Sequence, residues 1–440
     1  MSTEQLHAAG GAEGRGSLVV IGQGYVGLPL SMRAAEVGFY VRGLDKSTAI
    51  VERLNHGRSH VDDITDEQLS EALKHGYEAT TDPNVIAEAN VVVICVPTPL
   101  HPRGGPDLRA LESAVDWVSA NVTPGTLVVL ESTVYPGTTE DVLIPAIEQS
   151  GLVVGTDVYV AFSPERIDPG NPTYGLRNTP KVVGAHTEAC KQRAIDFYSA
   201  IVDHVVGTRG TKEAELAKLL ENTFRHINIA MVNEMARFCN ELEIDLWDSI
   251  NAAESKPFGF MAFRPGPGVG GHCIPVDPKY LSHRVRSELG YPFQLLEIAE
   301  VINDGAPNYV ADRVSALLNA EKKAVNGAKV LLLGVTYKAD LSDCRESPAD
   351  PLCLKLQSQG ADVRFHDPYV SQWRPCLHGC ASPEVLICEE DLYEAAGEAD
   401  VVVLLQTHSD YELERLAESA TKILDTRGKM NVNAPSVHRL

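Results

Sequence analysis

The chain has 440 residues and a formal charge of −22, from 38 Lys plus Arg against 60 Asp plus Glu. That balance argues against a broad nucleic-acid surface, which needs a basic stripe to neutralise phosphate, but leaves room for an anionic ligand held locally by helix N-termini and a few cations. With 44% apolar and 22% charged residues the composition is globular rather than disordered. The longest apolar runs fall far short of the ~18 residues of a membrane span. Residues 1–16 lack the apolar stretch of a signal peptide. A soluble, cytoplasmic chain of several domains is expected. Nine cysteines at irregular spacing predict free thiols in a reducing compartment.

Residues 1–16, rich in Gly and Ala, predict a disordered tail. SLVVIG then predicts a strand, the stretch from Leu28 to Val37 an amphipathic helix, and YVRGLD a second strand. ANVVVICVP, TLVVLEST and VYVAFSP read as further strands with helical stretches between most of them. This alternation predicts a parallel sheet covered by helices on both faces. From Thr211 apolar residues recur near positions 216, 219, 220, 223, 227, 230, 231, 235, 238 and 242. That is a helical period held for about thirty residues without Pro or Gly, expected to bridge two domains and to offer a dimer seam. Near Gly327 the α/β alternation restarts with AKVLLLG, the helical PADPLCLKLQSQG, then ADVRFHD, ADVVVLLQ and TKILDTRG. The expected architecture is α/β: two Rossmann-like, doubly wound parallel-sheet domains joined by a central helical domain with one long helix. Its expected divisions are 1–16 for the tail, then 17–210, 211–322 and 323–440.

Gly22-Gln-Gly24-Tyr25-Val26-Gly27 follows the first strand and opens a helix. Gly22 permits the tight turn, Gly24 lets backbone approach a pyrophosphate, and Gly27 lets helix and strand pack closely. Asp45 ends the next strand 18 residues after Gly27, placed for the ribose hydroxyls. An acid there repels a 2′-phosphate, so NAD is expected over NADP even though Lys46 follows. The bland alternative is a Gly-rich turn without cofactor.

The segment Pro265-Gly-Pro-Gly-Val-Gly-Gly-His-Cys273 packs glycine and proline ahead of one cysteine. Either Cys273 is a nucleophile toward a carbonyl at the lip of a glycine cradle, or it is an inert thiol beside a turn. Asp277, four residues on, can orient a partner or a water. Lys218 and Asn222 share a helix face; they form a solvated flank or donate to a developing oxyanion. Glu131-Ser-Thr133 and Ser163-Pro-Glu165-Arg166 follow strands, where an open parallel sheet meets its ligand, though each also suits a cap or turn. Cys376-Leu-His378-Gly-Cys380 fits no standard zinc spacing, so no metal is expected.

Taken in order, GQGYVG, CVPTP, ESTVYPGTT, SPER, ELAKLLENTF, GPGVGGHCIPVDP and YKADLSDCRES resemble the nucleotide-sugar 6-dehydrogenases, the group of UDP-glucose and GDP-mannose dehydrogenases. The resemblance runs from Ser17 to Arg427. It implies that Gly22, Gly24, Tyr25, Val26, Gly27 and Asp45 hold NAD, with Pro97, Thr98 and Thr133 on the nicotinamide side and Arg345 reaching back to it. It implies Cys273 as the nucleophile, Lys218, Asn222 and Asp277 with Thr133 as the polar catalytic group, and Glu165 as the acid linked to thioester hydrolysis; the general base stays open. A UDP-sugar would be bound by Glu165, Arg166, Lys218 and Asn222, by loop residues Gly266, Gly268, Gly270 and Gly271, and by Tyr337 and Lys338. Lys256 would reach the substrate of a partner subunit. The implied chemistry is a four-electron oxidation of a primary alcohol through a thiohemiacetal and a thioester on Cys273, two NAD per turnover. A homodimer or higher oligomer in polysaccharide biosynthesis would perform it.

SPERIDPGNP and KPFGFMAFRPGPGVGGHCIPVDP resemble the UDP-N-acetylglucosamine branch, ahead of UDP-glucose, UDP-N-acetylgalactosamine or UDP-N-acetylmannosamine. Three residues depart from the family's pattern: Ile167 follows SPER in place of an acid, Ile50 stands where a basic residue commonly helps Asp45, and Arg264 stands where an aromatic commonly precedes PGPG. Two rival readings remain. A two-electron hydroxyacid dehydrogenase of similar domain order has no use for Cys273. A non-catalytic nucleotide-binding protein would be expected to have lost the polar set, which is present.

Overall fold

The computed structural model describes residues 15–440 apart from positions 62, 102–104, 169, 170, 172, 272, 378, 379, 382 and 383. Most of the expected N-terminal tail, and the centre of the Cys376–Cys380 cluster, lie outside the described residues. The chain packs as two compact units, residues 1–221 and 222–440, with the division falling inside one long helix.

In the first unit, apolar runs become strands β1 (Ser17–Ile21), β2 (Tyr40–Leu44), β3 (Tyr77–Thr80), β4 (Val91–Ile94), β5 (Leu127–Leu130), β6 (Tyr159–Phe162), β7 (Lys181–Ala185) and β8 (Val205–Gly207). They form a sheet in the order β3-β2-β1-β4-β5-β6-β7-β8. β1 pairs parallel with β2 (Ile21 opposite Leu44) and with β4 (Ile21 opposite Ile94). The chain therefore winds outward in both directions from β1, the doubly wound arrangement that opens a crevice at the strands' C-terminal ends. All four residues of β4 and of β5 are buried, as continuous apolar strands covered on both faces should be. Helices α1 (Gly27–Glu36), α2 (Thr48–Asn55), α3 (Asp66–Lys74), α4 (Arg109–Asn121), α5 (Ile144–Glu148) and α6 (Glu188–Ser199) complete these layers. One pair departs from the parallel order: β7 pairs antiparallel with β6. No helix stands between them among the described residues, and without a crossover a strand can return in the opposite direction.

The long helix α7 (Thr211–Glu241) has 31 residues. Its apolar positions are divided between two faces. Leu216, Leu220, Phe224, Met231 and Phe238 are exposed, whereas Glu215, Lys218, Thr223, His226 and Asn233 are buried beside Ala214, Leu219, Ala230 and Ala236. A periodic apolar pattern locates a helix, but it does not say which stripe faces inward.

The second unit continues with α8 (Leu246–Glu254), α9 (Asp277–Leu289) and α10 (Gln294–Ala320). Strands β9 (Lys329–Leu333), β10 (Asp362–His366), β15 (Val401–Leu404), β16 (Ile423–Asp425) and β17 (Val437–Arg439) form a parallel sheet in the order β10-β9-β15-β16-β17. Two short antiparallel ribbons, β11 (Gln372–Trp373) with β14 (Leu386–Ile387) and β12 (Cys376–Leu377) with β13 (Cys380–Ala381), interrupt the α/β order. Helices α11 (Ala349–Ser358), α12 (Leu392–Glu398) and α13 (Leu413–Ser419) pack around the sheet.

Candidate functional site

In the first unit the turn after β1 has the form a dinucleotide needs. Gly22 has φ 91°, and a Cβ on Gly27 would lie 1.8 Å from the Gly22 carbonyl oxygen, so helix α1 can start only from glycine there. A Cβ on Gly24 would meet nothing within 4 Å, which leaves open space where backbone can approach a pyrophosphate. Tyr25 is exposed and Val26 half-buried beside it. At the tip of β2 the Asp45 carboxylate accepts the Gln23 N–H (3.0 Å) on one oxygen and the Ser47 N–H (2.9 Å) on the other. It is thus fixed in place, with lone pairs left for ribose hydroxyls. These residues fit NAD.

Sequence reasoning passed over Gln23. It is fully buried beneath the turn, its amide donating to the Val20 carbonyl (2.9 Å) and accepting from the Tyr77 hydroxyl (2.9 Å) and from Ser31. A Cβ on Gly43 would meet both Gln23 and Tyr77 at 2.6 Å, so that glycine makes room for the strut.

The ends of β4, β5 and β6 bring together a second group. Pro97 is exposed there. The Thr98 hydroxyl donates to the Thr133 carbonyl (2.7 Å), and the Lys218 ammonium donates to the Thr133 hydroxyl. Lys218 is buried, which rules out the solvated-flank alternative for it. One Glu165 oxygen accepts the N–H groups of Arg166 (2.7 Å) and Ile167 (2.6 Å). The other lies 3.5 Å from the Lys181 ammonium. Lys181 also pairs with Glu131 at 3.0 Å, and Tyr198 donates its hydroxyl to Glu131. Burial pushes the Glu131 carboxyl up, with Lys181 pulling against it. Burial alone would pull the Lys181 ammonium down, but Glu131 and Glu165 together push it to about 12. Lys181 was missed because nothing in the TPKVVG string distinguishes it from an ordinary residue at a strand start. Arg166 pairs with Glu221 at 2.7 Å and donates to the Pro180 carbonyl (2.7 Å). Glu215, likewise unanticipated, accepts the N–H groups of Gly137 (2.6 Å) and Thr139 (2.9 Å) and fastens the YPGTT turn to α7.

In the second unit Cys273 stands one turn ahead of α9, its carbonyl accepting the Asp277 N–H at 2.8 Å. The thiol is partly exposed. Asp277, the first residue of α9, is buried and accepts a hydrogen bond from the Asn222 side chain at 2.7 Å. Behind the loop, Asn233 accepts the Gly266 N–H (2.9 Å) and donates to Asn303 (3.0 Å), which donates to the His226 carbonyl (3.0 Å). Burial pulls the His226 imidazole below its usual value. The glycine loop lies against the third set of residues: a Cβ on Gly270 or Gly271 would meet Tyr337, one on Gly268 would meet Pro348, and one on Gly266 would lie 2.9 Å from Arg427. Burial lowers the Arg427 guanidinium to about 10, with Asp425 opposing. Arg427 is a cation beside the loop that the TKILDTRG strand pattern did not single out.

Gly271 donates its N–H to the Arg345 carbonyl (3.2 Å). Lys338 is half-buried in the same loop as Tyr337. Arg345 is exposed and forks onto Asp343 at 2.9 and 2.5 Å. Lys256 is exposed, its ammonium 4.8 Å over the Phe258 ring. Arg264 donates to Asn251 and Glu254 of α8, each at 2.9 Å. His272, and Pro169, Gly170 and Pro172 of the SPERIDPGNP stretch, lie outside the described residues.

Known proteins resemble the chain along most of its length. The NAD binding domain of the UDP-glucose/GDP-mannose dehydrogenase family matches residues 17–202, the family's central domain residues 212–305, and its UDP binding domain residues 331–432. The UDP-N-acetyl-D-glucosamine 6-dehydrogenase of Salmonella typhi is 36% identical over 80% of this chain and 82% of its own length. The UDP-N-acetyl-D-mannosamine dehydrogenase of Methanocaldococcus jannaschii is 32% identical over 94% and 92%. The solved structure of a UDP-D-ManNAc dehydrogenase from Pyrococcus horikoshii aligns with a TM-score of 0.85 at 31% identity, covering 96% of this chain and 98% of its own.

Proposed function

The chain belongs to the UDP-glucose/GDP-mannose dehydrogenase family and is an NAD-dependent oxidoreductase of nucleotide sugars; from that premise we propose that it oxidises the C6 primary alcohol of UDP-N-acetylglucosamine to the carboxylate, giving UDP-N-acetylglucosaminuronate. The observation that carries the catalytic reading is the seating of Cys273, partly exposed at the start of α9, with Asp277 bonded to Asn222 and the glycine loop laid against Tyr337 and Arg427. The choice of sugar rests on the SPERIDPGNP and KPFGFMAFRPGPGVGG strings, because relatives named for the two N-acetylhexosamines stand at 36% and 32% identity, too near each other to decide.

Gly22, Gly24, Tyr25, Val26, Gly27 and Asp45 hold NAD, with Pro97, Thr98, Thr133 and Arg345 at its other end. When bound, NAD would supply the hydride acceptor for each of two oxidations. Cys273 adds its sulfur to the aldehyde from the first oxidation, and the oxygen takes a proton. This thiohemiacetal has the C–H bond that the second oxidation needs; loss of that hydrogen as hydride to the bound cofactor and of the hydroxyl proton to a base leaves a thioester. Lys218 and Asn222 donate to the oxygen as charge develops on it. Asp277 holds a water or assists proton removal, and Glu165 helps water attack the thioester, which releases the acid and the free thiol. Glu165, Arg166, Gly266, Gly268, Gly270, Gly271, Tyr337 and Lys338 bind the substrate.

A homodimer or higher assembly is part of the proposal, with Lys256 of one subunit reaching the substrate of the other. It is supported by the exposed apolar side chains of Phe224, Met231 and Phe238 on α7 and of Leu295, Ile298 and Val301 on α10. No helix among the described residues is long and apolar enough to cross a membrane. A cytoplasmic role in polysaccharide biosynthesis completes the reading.

The test is NADH formed per sugar consumed, with the acid identified by mass. We expect two NADH per UDP-N-acetylglucosamine. Cys273→Ala lowers that turnover by more than about a thousandfold. Exclusive use of UDP-N-acetylmannosamine or UDP-glucose overturns the sugar assignment and keeps the chemistry. NAD binding without NADH from any UDP-sugar overturns the chemistry.

A further inference from the structure

The loop between β9 and α11 contains two non-glycine residues in the left-handed region, Asp340 at φ 60° and Glu346 at φ 51°. Such residues persist only where their surroundings hold them, and they gather at ligand clamps and other functional sites. At Asp340 the holding group is His408, fully buried just beyond β15. Its Nδ1 accepts the Asp340 N–H at 3.0 Å, and its Nε2 lies 3.1 Å from Oδ2 of the buried Asp367. Because Nδ1 accepts, the ring hydrogen is on Nε2 and donates to Asp367. Asp367 in turn accepts the N–H groups of Val335 (2.8 Å) and Tyr369 (2.9 Å), so its carboxylate cannot swing away without losing both. The Asp340 carboxylate accepts the Ser409 N–H at 2.7 Å. Inside the turn, the Thr336 hydroxyl donates to the Lys338 carbonyl (2.8 Å), and Gln406 donates to the Tyr337 carbonyl (2.6 Å). The His408 ring stands 5.1 Å from the Tyr369 ring and 5.4 Å from the Tyr411 ring. The place in the fold matters equally. β9 lies between β10 and β15, so the chain leaves β9 on one side and returns on the other. The C-terminal end of the β9–β15 pair is therefore the switch point where an open α/β sheet takes its ligand.

We propose that His408, oriented by Asp367, is the positioning residue that holds the Thr336–Asp340 turn in the shape in which Tyr337 and Lys338 meet the nucleotide end of the substrate. The inference rests on the reading above that these two residues bind the UDP-sugar. His408 itself touches no substrate; it keeps the turn pre-formed, so that binding need not supply the ordering.

The experiment uses the full chain, with UDP as the binding probe and steady-state kinetics alongside. His408→Gln keeps a donor for Asp367 but removes the acceptor beside Asp340. It raises KM for the UDP-sugar and Kd for UDP together by about tenfold, with kcat and the KM for NAD within about twofold of the parent. His408→Asn keeps an acceptor at the Nδ1 position and stays within about threefold of the parent for UDP. Adding Asp340→Gly to His408→Gln restores UDP binding, because glycine adopts the left-handed conformation unaided. Unchanged UDP binding in a folded His408→Gln protein, or equal losses in the Gln and Asn variants, overturns the positioning role. Lys338→Ala is measured in parallel. If it leaves UDP binding at the parent level, the nucleotide reading of the loop falls; if it weakens binding while His408→Gln does not, the positioning inference alone falls.

Discussion

At Gly27, in the turn after β1, glycine answers to backbone of the same turn: the Gly22 carbonyl stands 1.8 Å from a Cβ there. In the Gly266–Gly271 loop it answers to side chains brought from far along the sequence: Arg427 against Gly266, Pro348 against Gly268, Tyr337 against Gly270 and Gly271. At Gly27 the closest obstacle is written into the short string itself, because strand, turn and helix follow one another in the chain, whereas at Gly22 it comes from the far end of β4. The Gly266–Gly271 loop acquires its shape only when the sheet built from residues 329–439 is in place. A glycine string therefore means two different things, and the difference is whether its obstacle is local.

That comparison can be tested with one methyl group at each site. Gly27→Ala should cost NAD binding about a hundredfold, measured by fluorescence titration, and leave UDP binding within about twofold. Gly271→Ala, with φ 86° and the Tyr337 ring 2.9 Å from the new Cβ, should do the reverse, raising Kd for UDP about tenfold and sparing NAD. A variant that loses both ligands equally breaks the distinction between a local and a tertiary glycine.

The buried charges sharpen the comparison further. Lys181→Met leaves Glu131 and Glu165 without the cation between them, and removing one partner of a buried pair costs about 3 kcal/mol. A clear drop in melting temperature is expected, with Lys181→Arg recovering most of it. An unchanged melting temperature in the Met variant would show that the cation between them contributes nothing to stability.

The smallest effect concerns pH. Asp350 is buried in α11, where it accepts from the Trp373 indole at 3.0 Å, and burial pushes its carboxyl up to about 7. The folded protein then holds a proton that the unfolded chain releases near the ordinary carboxyl value of ~3.9. The stability from this group is complete below that value and is lost as pH rises through about 7. Asp350→Asn should therefore flatten the decline in melting temperature between pH 5 and 8; parallel curves for the parent and the variant would remove Asp350 as its source.

Periodicity and composition located most of the strands and the long helix, because a strand buried on both faces must be continuously apolar and a helical period held for about thirty residues without Pro or Gly reads as one helix. They did not reveal that α7 buries Glu215, Thr223, His226 and Asn233, or that β7 runs antiparallel to β6. Lys218 and Asn222 could be paired on one face from their spacing of four residues. Their partners, Thr133 and Asp277, lie 85 and 55 residues away in the chain.

Family, the order of α/β and helical segments, the dinucleotide turn with Asp45, and Cys273 in its glycine loop can all be read from the chain before it folds. Each is written in neighbouring residues, whose geometry follows from short-range sterics and hydrogen bonding. Which polar groups are buried together is settled by folding. Lys181 between Glu131 and Glu165, Arg427 beside Gly266, Asn303 bridging Asn233 and His226, and His408 clamped between Asp367 and Asp340 all join positions remote in sequence. The physical reason is desolvation: a buried charge or amide is tolerated only with its partner present, and that partner is supplied by the fold rather than by the adjacent chain.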